Sequence, residues 1–485
     1  MRNKKIIYIV LFLLWTVLSI RLIFFRYPTY DEIHAWNIAA NVPFYHLVDI
    51  IKSEGHFPLW YLLLKGCMAL HLPYPQTLFG LNWLFMAGAI GLILFKSPLP
   101  RIFKVSAVFS FPLAVFYPAW GRPYGMTFFF LVLIAVFYRS RLQKPRLFAL
   151  LLLVCSQTHL FGIMGAIGFG CLFAWDMMVA WQRKQVSGTM FRQSMEICLI
   201  TALLLVKEGS GTLVPAYNVS LGWKGLFSFS LAAYIKGALY VAWILLLYRS
   251  KRAVIYGCIV FPLALVLHLF FYSFVAPWYF PFFACFIILE TWIFYADRTD
   301  WATYAWMPWQ KGKNATSNRS GWLNQLLYLP CLIFWAICWW DCKFMNVMPV
   351  VQPQGADNMT FVKEHVDLLR GTQVFVLYRG VETVPTLQAE GITPYSLATG
   401  LEFYSVKNLH SLYAYPLYQV PVDYKAVVSR TGKGVTRRLV APIDWQHALH
   451  YVGDSPFTFR FQTLVCESDA LNLCIFDVRT DPADV

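Results

Sequence analysis

The sequence predicts a polytopic α-helical membrane protein with a small α/β domain at its C-terminal end. Hydrophobic residues make up 58% of the chain and charged residues only 13%, whereas about a quarter of a soluble domain is charged. Apolar stretches of about 17–25 residues recur along the chain, and an α-helix needs this length to cross a bilayer. From about residue 341 onward, the charge density rises to that of a soluble domain.

We therefore divide the chain into a membrane domain, residues 1–340, and a C-terminal domain, residues 341–485. The membrane domain is expected to contain about 11–13 transmembrane helices. The first helix follows Met1–Lys5 and has no small-residue cleavage site after it, which is typical of an uncleaved anchor. A first loop is expected at about residues 26–57. Within it, Phe44, Leu47, Val48 and Ile51 share one helical face, so we expect this segment to be a helix that lies along the membrane surface.

Basic residues form short clusters between the apolar stretches, a pattern that places those turns in the cytoplasm. The clusters begin at Lys96, Arg139, Arg183, Arg249 and Arg298. The first loop, the intervening turns and the C-terminal domain then lie outside the cytoplasm. The apolar stretches at 56–72 and 78–95 do not both fit this orientation, so either one of them is re-entrant or one basic cluster breaks the rule.

The net charge of +15 follows from the same clusters, which also suit anionic lipid headgroups. Because the charge is dispersed, a nucleic-acid partner is not expected, and membrane lipids are.

The C-terminal domain shows strand-like alternation at Thr372–Tyr378 and Tyr424–Val428, and helical spacing at Asn358–Arg370. We expect a small mixed α/β domain on the extracytoplasmic face.

The strongest candidate for chemistry is the acidic pair Asp31 and Glu32, just after the first apolar stretch. The chain has only 25 acidic residues, and an acid beside an apolar boundary is more often functional than incidental. A carboxylate there can act as a general base on a hydroxyl. The competing interpretation is an ordinary polar loop next to a membrane. Asp31 and His34 are also the candidates for contact with a metal ion.

Other isolated polar groups stand at predicted extracytoplasmic turns. Arg122 either extends to lipid headgroups or binds a phosphate, for which a planar guanidinium is well suited. Lys207 either pairs with its neighbour Glu208 or contributes a second cation. The remaining candidates for binding are His56, Tyr124, His159 and Tyr279. Gly162, Gly165, Gly168 and Gly170 favour close helix packing.

In their order along the chain, these motifs resemble the GT-C superfamily of polyprenyl-phosphate-sugar-dependent glycosyltransferases, especially the protein mannosyltransferase and aminoarabinose transferase branch. The resemblance covers about the first third of the chain well and the remainder only in layout. It depends on the motifs Tyr30-Asp31-Glu32, His56-Phe57-Pro58-Leu59-Trp60-Tyr61, Gly121-Arg122-Pro123-Tyr124 and Thr158-His159-Leu160-Phe161-Gly162.

The resemblance implies an inverting transferase in a bacterial-type plasma (inner) membrane, with an extracytoplasmic active site. It would take a sugar from a polyprenyl-phosphate donor and pass it to an envelope glycan, lipid or protein. Asp31 would be the base, and Arg122, with Lys207 or a divalent metal ion, would hold the departing phosphate. Many relatives carry an arginine where this chain has Trp278, before Tyr279, which leaves more of that role to Arg122.

Two other functions remain open at this point. A transporter or flippase for lipid-linked sugars would have a site at the membrane midplane, broken helices and repeated halves. A non-catalytic scaffold for envelope assembly would use the C-terminal domain as a docking surface.

Overall fold

The computed structural model describes residues 2–24, 28, 30–51, 57–212, 231–248, 250–270, 282–300, 329–344, 362–376, 383–396, 437–442, 459–463 and 473–480. Most of these residues are helical. The chain forms two compact units, which we describe separately. The first comprises Met1–Phe24, Glu54–Trp60 and Phe79–Met348, and the second comprises Phe25–Ser53, Tyr61–Leu78 and Pro349–Val485. The domain boundary predicted at residue 340 stays a prediction.

The described part of the chain contains 17 α-helices. They are α1 (Arg2–Phe24), α2 (Tyr30–Asn41), α3 (Phe44–Ile51), α4 (Pro58–Ala69), α5 (Gln76–Lys96), α6 (Arg101–Val108), α7 (Tyr117–Ala119), α8 (Tyr124–Phe137), α9 (Pro145–Ser156), α10 (Leu160–Gln182), α11 (Gly188–Thr212), α12 (Leu231–Leu246), α13 (Lys251–Phe270), α14 (Phe283–Asp300), α15 (Leu329–Phe344), α16 (Val366–Leu369) and α17 (Val384–Ala389).

Three of the described helices are long and apolar enough to cross a membrane. They contain Lys5–Ile23, Gln76–Lys96 and Leu160–Gln182. The bent pair Arg101–Val108 and Pro112–Ala119 makes a fourth candidate if it counts as one span. These helices fit a helical membrane protein, while the expected total of about 11–13 spans stays a prediction.

The bent pair contains a genuine break in the helix. Its two parts meet at 54° across residues 109–111, and the second part begins with a π-helical turn at Pro112–Phe116. Two prolines, Pro112 and Pro118, supply no backbone N–H, so carbonyl groups nearby lose their helical partners. The Trp15 indole of α1 donates to the Leu113 carbonyl at 2.8 Å, and so satisfies one of them.

Helix α10 packs against α8, α9, α11 and α13 in the first unit. Its glycines make this possible. A Cβ at Gly165 would lie 2.3 Å from Leu131 Cδ2, and one at Gly168 would lie 2.7 Å from Tyr256 Cε2. The predicted role of these two glycines in close helix packing is confirmed.

In the second unit, the stretch predicted as a first loop differs from expectation at its start, where it folds into α2, while the helix predicted at Phe44–Ile51 is confirmed as α3. The physical reason lies in apolar residues at helical spacing: Ala35, Ile38 and Ala39 are fully buried. The Lys65 ammonium of α4 donates to the Ala39 carbonyl at 2.7 Å. In α3, Leu47 and Ile51 are buried while Phe44 is exposed, so only part of the predicted apolar face is covered.

The second unit also contains a five-stranded mixed sheet, in the order β2-β1-β3-β5-β4. Its strands are β1 (Gln373–Val376), β2 (Pro394–Ser396), β3 (Arg437–Pro442), β4 (Phe459–Thr463) and β5 (Leu473–Thr480). β1 is parallel to β2 and β3, whereas β5 is antiparallel to β3 and β4. Strand β1 falls where Thr372–Tyr378 was predicted to be extended, whereas Tyr424–Val428 lies outside the described residues.

Candidate functional site

Three of the motifs found in the sequence meet in the first unit, where α4, α8 and α10 begin. The Phe57 N–H donates to the Thr158 carbonyl at 3.4 Å, and the Leu59 N–H donates to the Gln157 carbonyl at 3.3 Å. The start of α4 is thereby attached to the turn before α10. We call the polar residues at this end of the helices, Arg122, Tyr124, Thr127, Thr158 and His159, the Arg122 cluster.

Arg122 is 6% exposed and lies two residues before the first residue of α8. Its backbone N–H donates to the Trp120 carbonyl at 2.8 Å, which folds the Gly121–Pro123 turn tightly. The Tyr124 ring lies 4.9 Å from the His159 imidazole, centroid to centroid. Arg122 is thus buried just before the N-terminal end of a helix, where the helix dipole favours an anion.

His159 caps α10, because its Nδ1 accepts a hydrogen bond from the Phe161 N–H at 3.1 Å. Burial, and then the positive charge of Arg122, lower the pKa of His159 to about 3. The imidazole is therefore neutral near pH 7. Since Nδ1 accepts, the ring proton is on Nε2, which makes that atom a hydrogen-bond donor.

Two threonines join α8 to the turn before α10. Thr127 Oγ1 lies 2.9 Å from Thr158 Oγ1, and the Thr158 hydroxyl donates to the Cys155 carbonyl at 2.7 Å. Gly162 allows this close approach, since a Cβ there would lie 2.4 Å from the Cys155 carbonyl oxygen. The cluster is consequently a rigid, buried arrangement.

A second polar cluster lies toward the other ends of α8 and α10. Arg141 contacts Asp176 through Nε (2.8 Å) and Nη2 (2.7 Å). Arg252 bonds the same carboxylate at 2.7 Å and approaches Asp297 at 3.5 Å, and the Ser250 hydroxyl donates to Asp297 at 2.8 Å. We call these five residues the Arg141 cluster. Two arginines and two aspartates cancel in charge, which suits a structural tie between helices.

An acid outside both clusters, Glu290, lies in the middle of α14. It is fully buried, and the Tyr240 hydroxyl donates to its Oε1. Among the described residues, its other oxygen has no hydrogen-bond partner. We assign Glu290 to helix packing and give it no role in chemistry.

Sequence reasoning did not identify Asn82, Asp176, Asp297 or Glu290. All four are buried polar residues on helices of the first unit. The signal that could have found them is the presence of a polar residue inside an apolar stretch, where such residues are rare and have partners.

The other predicted site residues belong to less fully described parts of the chain. Asp31 and Glu32 lie on α2, and Glu32 is buried. Lys207 lies on α11. The side chains of Asp31, His34 and Lys207, together with His56 and Tyr279, lie outside what the structure describes. Within the described residues, no three His, Cys, Asp or Glu side chains are grouped so that they could hold a metal ion.

Comparison with known families and proteins adds no relative. No family model matches this chain, and no curated protein matches it either.

Proposed function

We propose that this protein is a membrane glycosyltransferase that moves a sugar from a polyprenyl-phosphate donor to an acceptor hydroxyl on the extracytoplasmic face. The observation that carries the proposal is the buried Arg122, close to the neutral His159 at the start of α8 and α10. A guanidinium matches phosphate oxygens in geometry and charge. Tyr124, two residues further along the chain, is proposed to pack against the sugar or isoprenoid of the donor.

In this proposal, Asp31 is the general base. Its carboxylate accepts the proton of the acceptor hydroxyl as that oxygen attacks the anomeric carbon from the face opposite the phosphate. The transition state is oxocarbenium-like, as in other glycosyl transfers. Glu32 is an accessory acid next to the base in the sequence.

The departing phosphate gains negative charge, and donors placed around it lower the barrier. Arg122 supplies fixed N–H donors, and His159 Nε2–H is a neutral donor beside it. Lys207 is proposed as a second cation. A divalent metal ion would add charge at the phosphate, and Asp31 and His34 are the candidates to contact it.

The proposed setting is the plasma (inner) membrane, with the basic turns in the cytoplasm. The C-terminal α/β domain would lie outside with the active site and face an envelope glycan, lipid or protein acceptor. A donor carried by lipid explains why the enzyme needs membrane-length helices.

A second candidate is a flippase for lipid-linked sugars. The break between α6 and α7, with its 54° bend and π-helical turn, favours this candidate, because discontinuous helices are frequent in transporters.

One experiment separates the two. The purified protein in lipid nanodiscs is given a panel of polyprenyl-phosphate sugars, and donor consumption is followed by mass spectrometry in the presence of candidate acceptors. We expect the wild type to consume one donor, and Asp31→Asn to lower the rate about 10²–10⁴-fold. Asp367→Asn, which alters an acid that is 91% exposed, is the matched control.

Equal turnover by the wild type and Asp31→Asn would remove Asp31 from the proposed chemistry. Lipid transfer between leaflets of proteoliposomes, without consumption of any donor, would instead support the flippase.

A further inference from the structure

We infer that Asn82 is the positioning residue of the Arg122 cluster. Its side-chain amide hydrogen-bonds to the backbone on both sides of the helix break between α7 and α8, and so fixes the positions of Arg122 and Tyr124. The inference deepens the proposed function and, for its meaning in donor binding, rests on it.

Asn82 lies in the membrane-length helix α5 and is fully buried. Its Nδ2 donates to the Tyr117 carbonyl at 2.7 Å and lies 3.4 Å from the Pro118 carbonyl. Its Oδ1 accepts from the Gly125 N–H at 2.9 Å. One side chain thus hydrogen-bonds to the backbone of the last turn before the break and to that of the first turn after it.

These groups lie at helix ends, where backbone groups often bond to a partner outside the helix. The chain leaves helical geometry at Trp120, next to the Tyr117 and Pro118 carbonyls that face the Asn82 amide. The Gly125 N–H belongs to the first turn of α8, where backbone donors lack helical partners. An amide presents a donor and an acceptor on one rigid group, which an aliphatic side chain of similar size does not.

The residue at position 125 is adapted to this contact. A Cβ on Gly125 would lie 2.4 Å from Asn82 Oδ1 and 2.8 Å from the Asn82 carbonyl oxygen. Only glycine therefore lets α8 approach α5 closely enough for the hydrogen bond. Arg122 lies between the two segments that Asn82 holds, so the amide sets the geometry of the turn that carries the guanidinium.

Removal of the Asn82 amide should weaken binding of the donor in the proposed reaction. Without the amide, the Gly121–Pro123 turn can move, Arg122 becomes exposed and the affinity for a lipid phosphate falls. No group that would contact the donor is removed. We expect Asn82→Leu to raise the KM for the lipid donor more than it lowers kcat. A general loss of folded protein would lower the apparent kcat and leave KM unchanged.

The test uses the full-length protein in nanodiscs. Trp83→Phe is the matched control, because it removes a hydrogen bond from the next residue of the same helix, Trp83 Nε1–H to Ser19 Oγ at 2.9 Å. Arginine exposure is measured with an arginine-selective dicarbonyl reagent and peptide mass spectrometry, with Arg141 as the internal reference. Binding is measured by native mass spectrometry with polyprenyl monophosphate as the probe.

We expect Asn82→Leu to increase labelling of Arg122, but not of Arg141, and to weaken binding of the probe about tenfold. Trp83→Phe should change neither. In Asn82→Asp, labelling of Arg122 and binding of the probe should both stay close to the wild-type values. A buried, protonated Asp has the same shape, with one donor and one acceptor. If Asn82→Leu does not fold, Asn82→Ala replaces it in the comparison.

Unchanged labelling of Arg122 in a folded Asn82 variant would overturn the inference, as would an equal effect of Trp83→Phe. If the wild type does not bind polyprenyl monophosphate while labelling of Arg122 still responds to Asn82, the proposed function fails and the positioning role stands.

Discussion

The Arg122 cluster and the Arg141 cluster occupy opposite ends of the same helices and differ in how their charge is arranged. His159 and Asp176 both belong to the α10 region and are about 25 Å apart at 1.5 Å per residue, close to the thickness of a bilayer core. At the Arg141 end, two carboxylates neutralise two guanidinium groups. At the Arg122 end, the His159 imidazole is neutral, and the Tyr124 ring packs against that imidazole.

Arg141 bonds a carboxylate on helix α10, and this ion pair makes the arginine important for stability. At the Arg122 end, the described neighbours include a neutral imidazole, and under the proposed function the guanidinium binds the phosphate of the donor. Substitutions at the two ends should therefore affect different measurements.

The largest expected effect comes from the Arg141 cluster. Asp176→Asn leaves both Arg141 and Arg252 without their shared carboxylate in a buried site, and we expect it to destabilise the fold by about 3–5 kcal/mol. The measurement is thermal unfolding in detergent, followed by intrinsic fluorescence, together with the yield of monodisperse protein.

Glu196→Gln is the control for Asp176→Asn. It breaks the Arg192–Glu196 pair, in which both side chains are exposed, and should cost only about 0.3–0.5 kcal/mol. Equal effects of the two variants would show that the Arg141 cluster contributes no more than a surface pair.

Arg122→Gln should affect binding of the donor more than it affects stability. Loss of charge-assisted hydrogen bonds worth about 1.5–3 kcal/mol predicts affinity for polyprenyl monophosphate that is about 10- to 100-fold weaker. Native mass spectrometry in nanodiscs measures it. Arg146→Gln, at an exposed arginine, should leave affinity unchanged. Unaltered affinity in Arg122→Gln would contradict the proposed role of Arg122 in binding the donor phosphate.

Gly162→Ala tests the rigidity of the Arg122 cluster. The added methyl group would lie 2.4 Å from the Cys155 carbonyl oxygen, so the turn before α10 must shift at a cost of about 1–3 kcal/mol. A lower midpoint of thermal unfolding is expected. In Gly170→Ala, on the same helix, the methyl group meets Leu152 at an ordinary 3.8 Å, and stability should be equal or slightly higher.

The last prediction concerns how the stability of the fold depends on pH. His159 has a pKa of about 3 in the folded chain, against an ordinary value of 6.5. Between these values the unfolded chain binds a proton that the folded chain does not, so stability falls as the pH falls below about 6.5. Thermal unfolding at pH 7 and pH 5 measures the difference.

His159→Asn should reduce this pH dependence, because asparagine is a good N-cap residue that does not titrate in this range. An identical decrease in the variant would assign the pH effect to other groups.

Part of the site could be predicted from the sequence. The motifs containing Arg122 and His159 were singled out because polar groups stand out at the ends of apolar stretches, and the structure brings these two residues together. Asp31 was singled out on the same grounds, and its role as a base stays a prediction.

The partners of these residues could not be predicted in this way. Arg141 and Arg252 each belong to a basic cluster interpreted as a topology signal, yet both bond to Asp176, which is 35 residues from the first and 76 from the second. Asn82 and the Tyr117 carbonyl are 35 residues apart. Local patterns hold no information about contacts over such separations.

Features that depend on composition and short-range periodicity could be predicted from the sequence: helices of membrane length, the amphipathic segment at α3 and the strand at β1. Transfer of apolar side chains out of water is a property of each segment, so it can be read locally. The folded molecule alone shows which buried polar groups pair, that α2 replaces a loop, and that Asn82 bonds to both sides of the break before Arg122. Those outcomes depend on hydrogen bonds between helices that are distant in the chain, because most buried polar groups are stable only when they bond to such a partner.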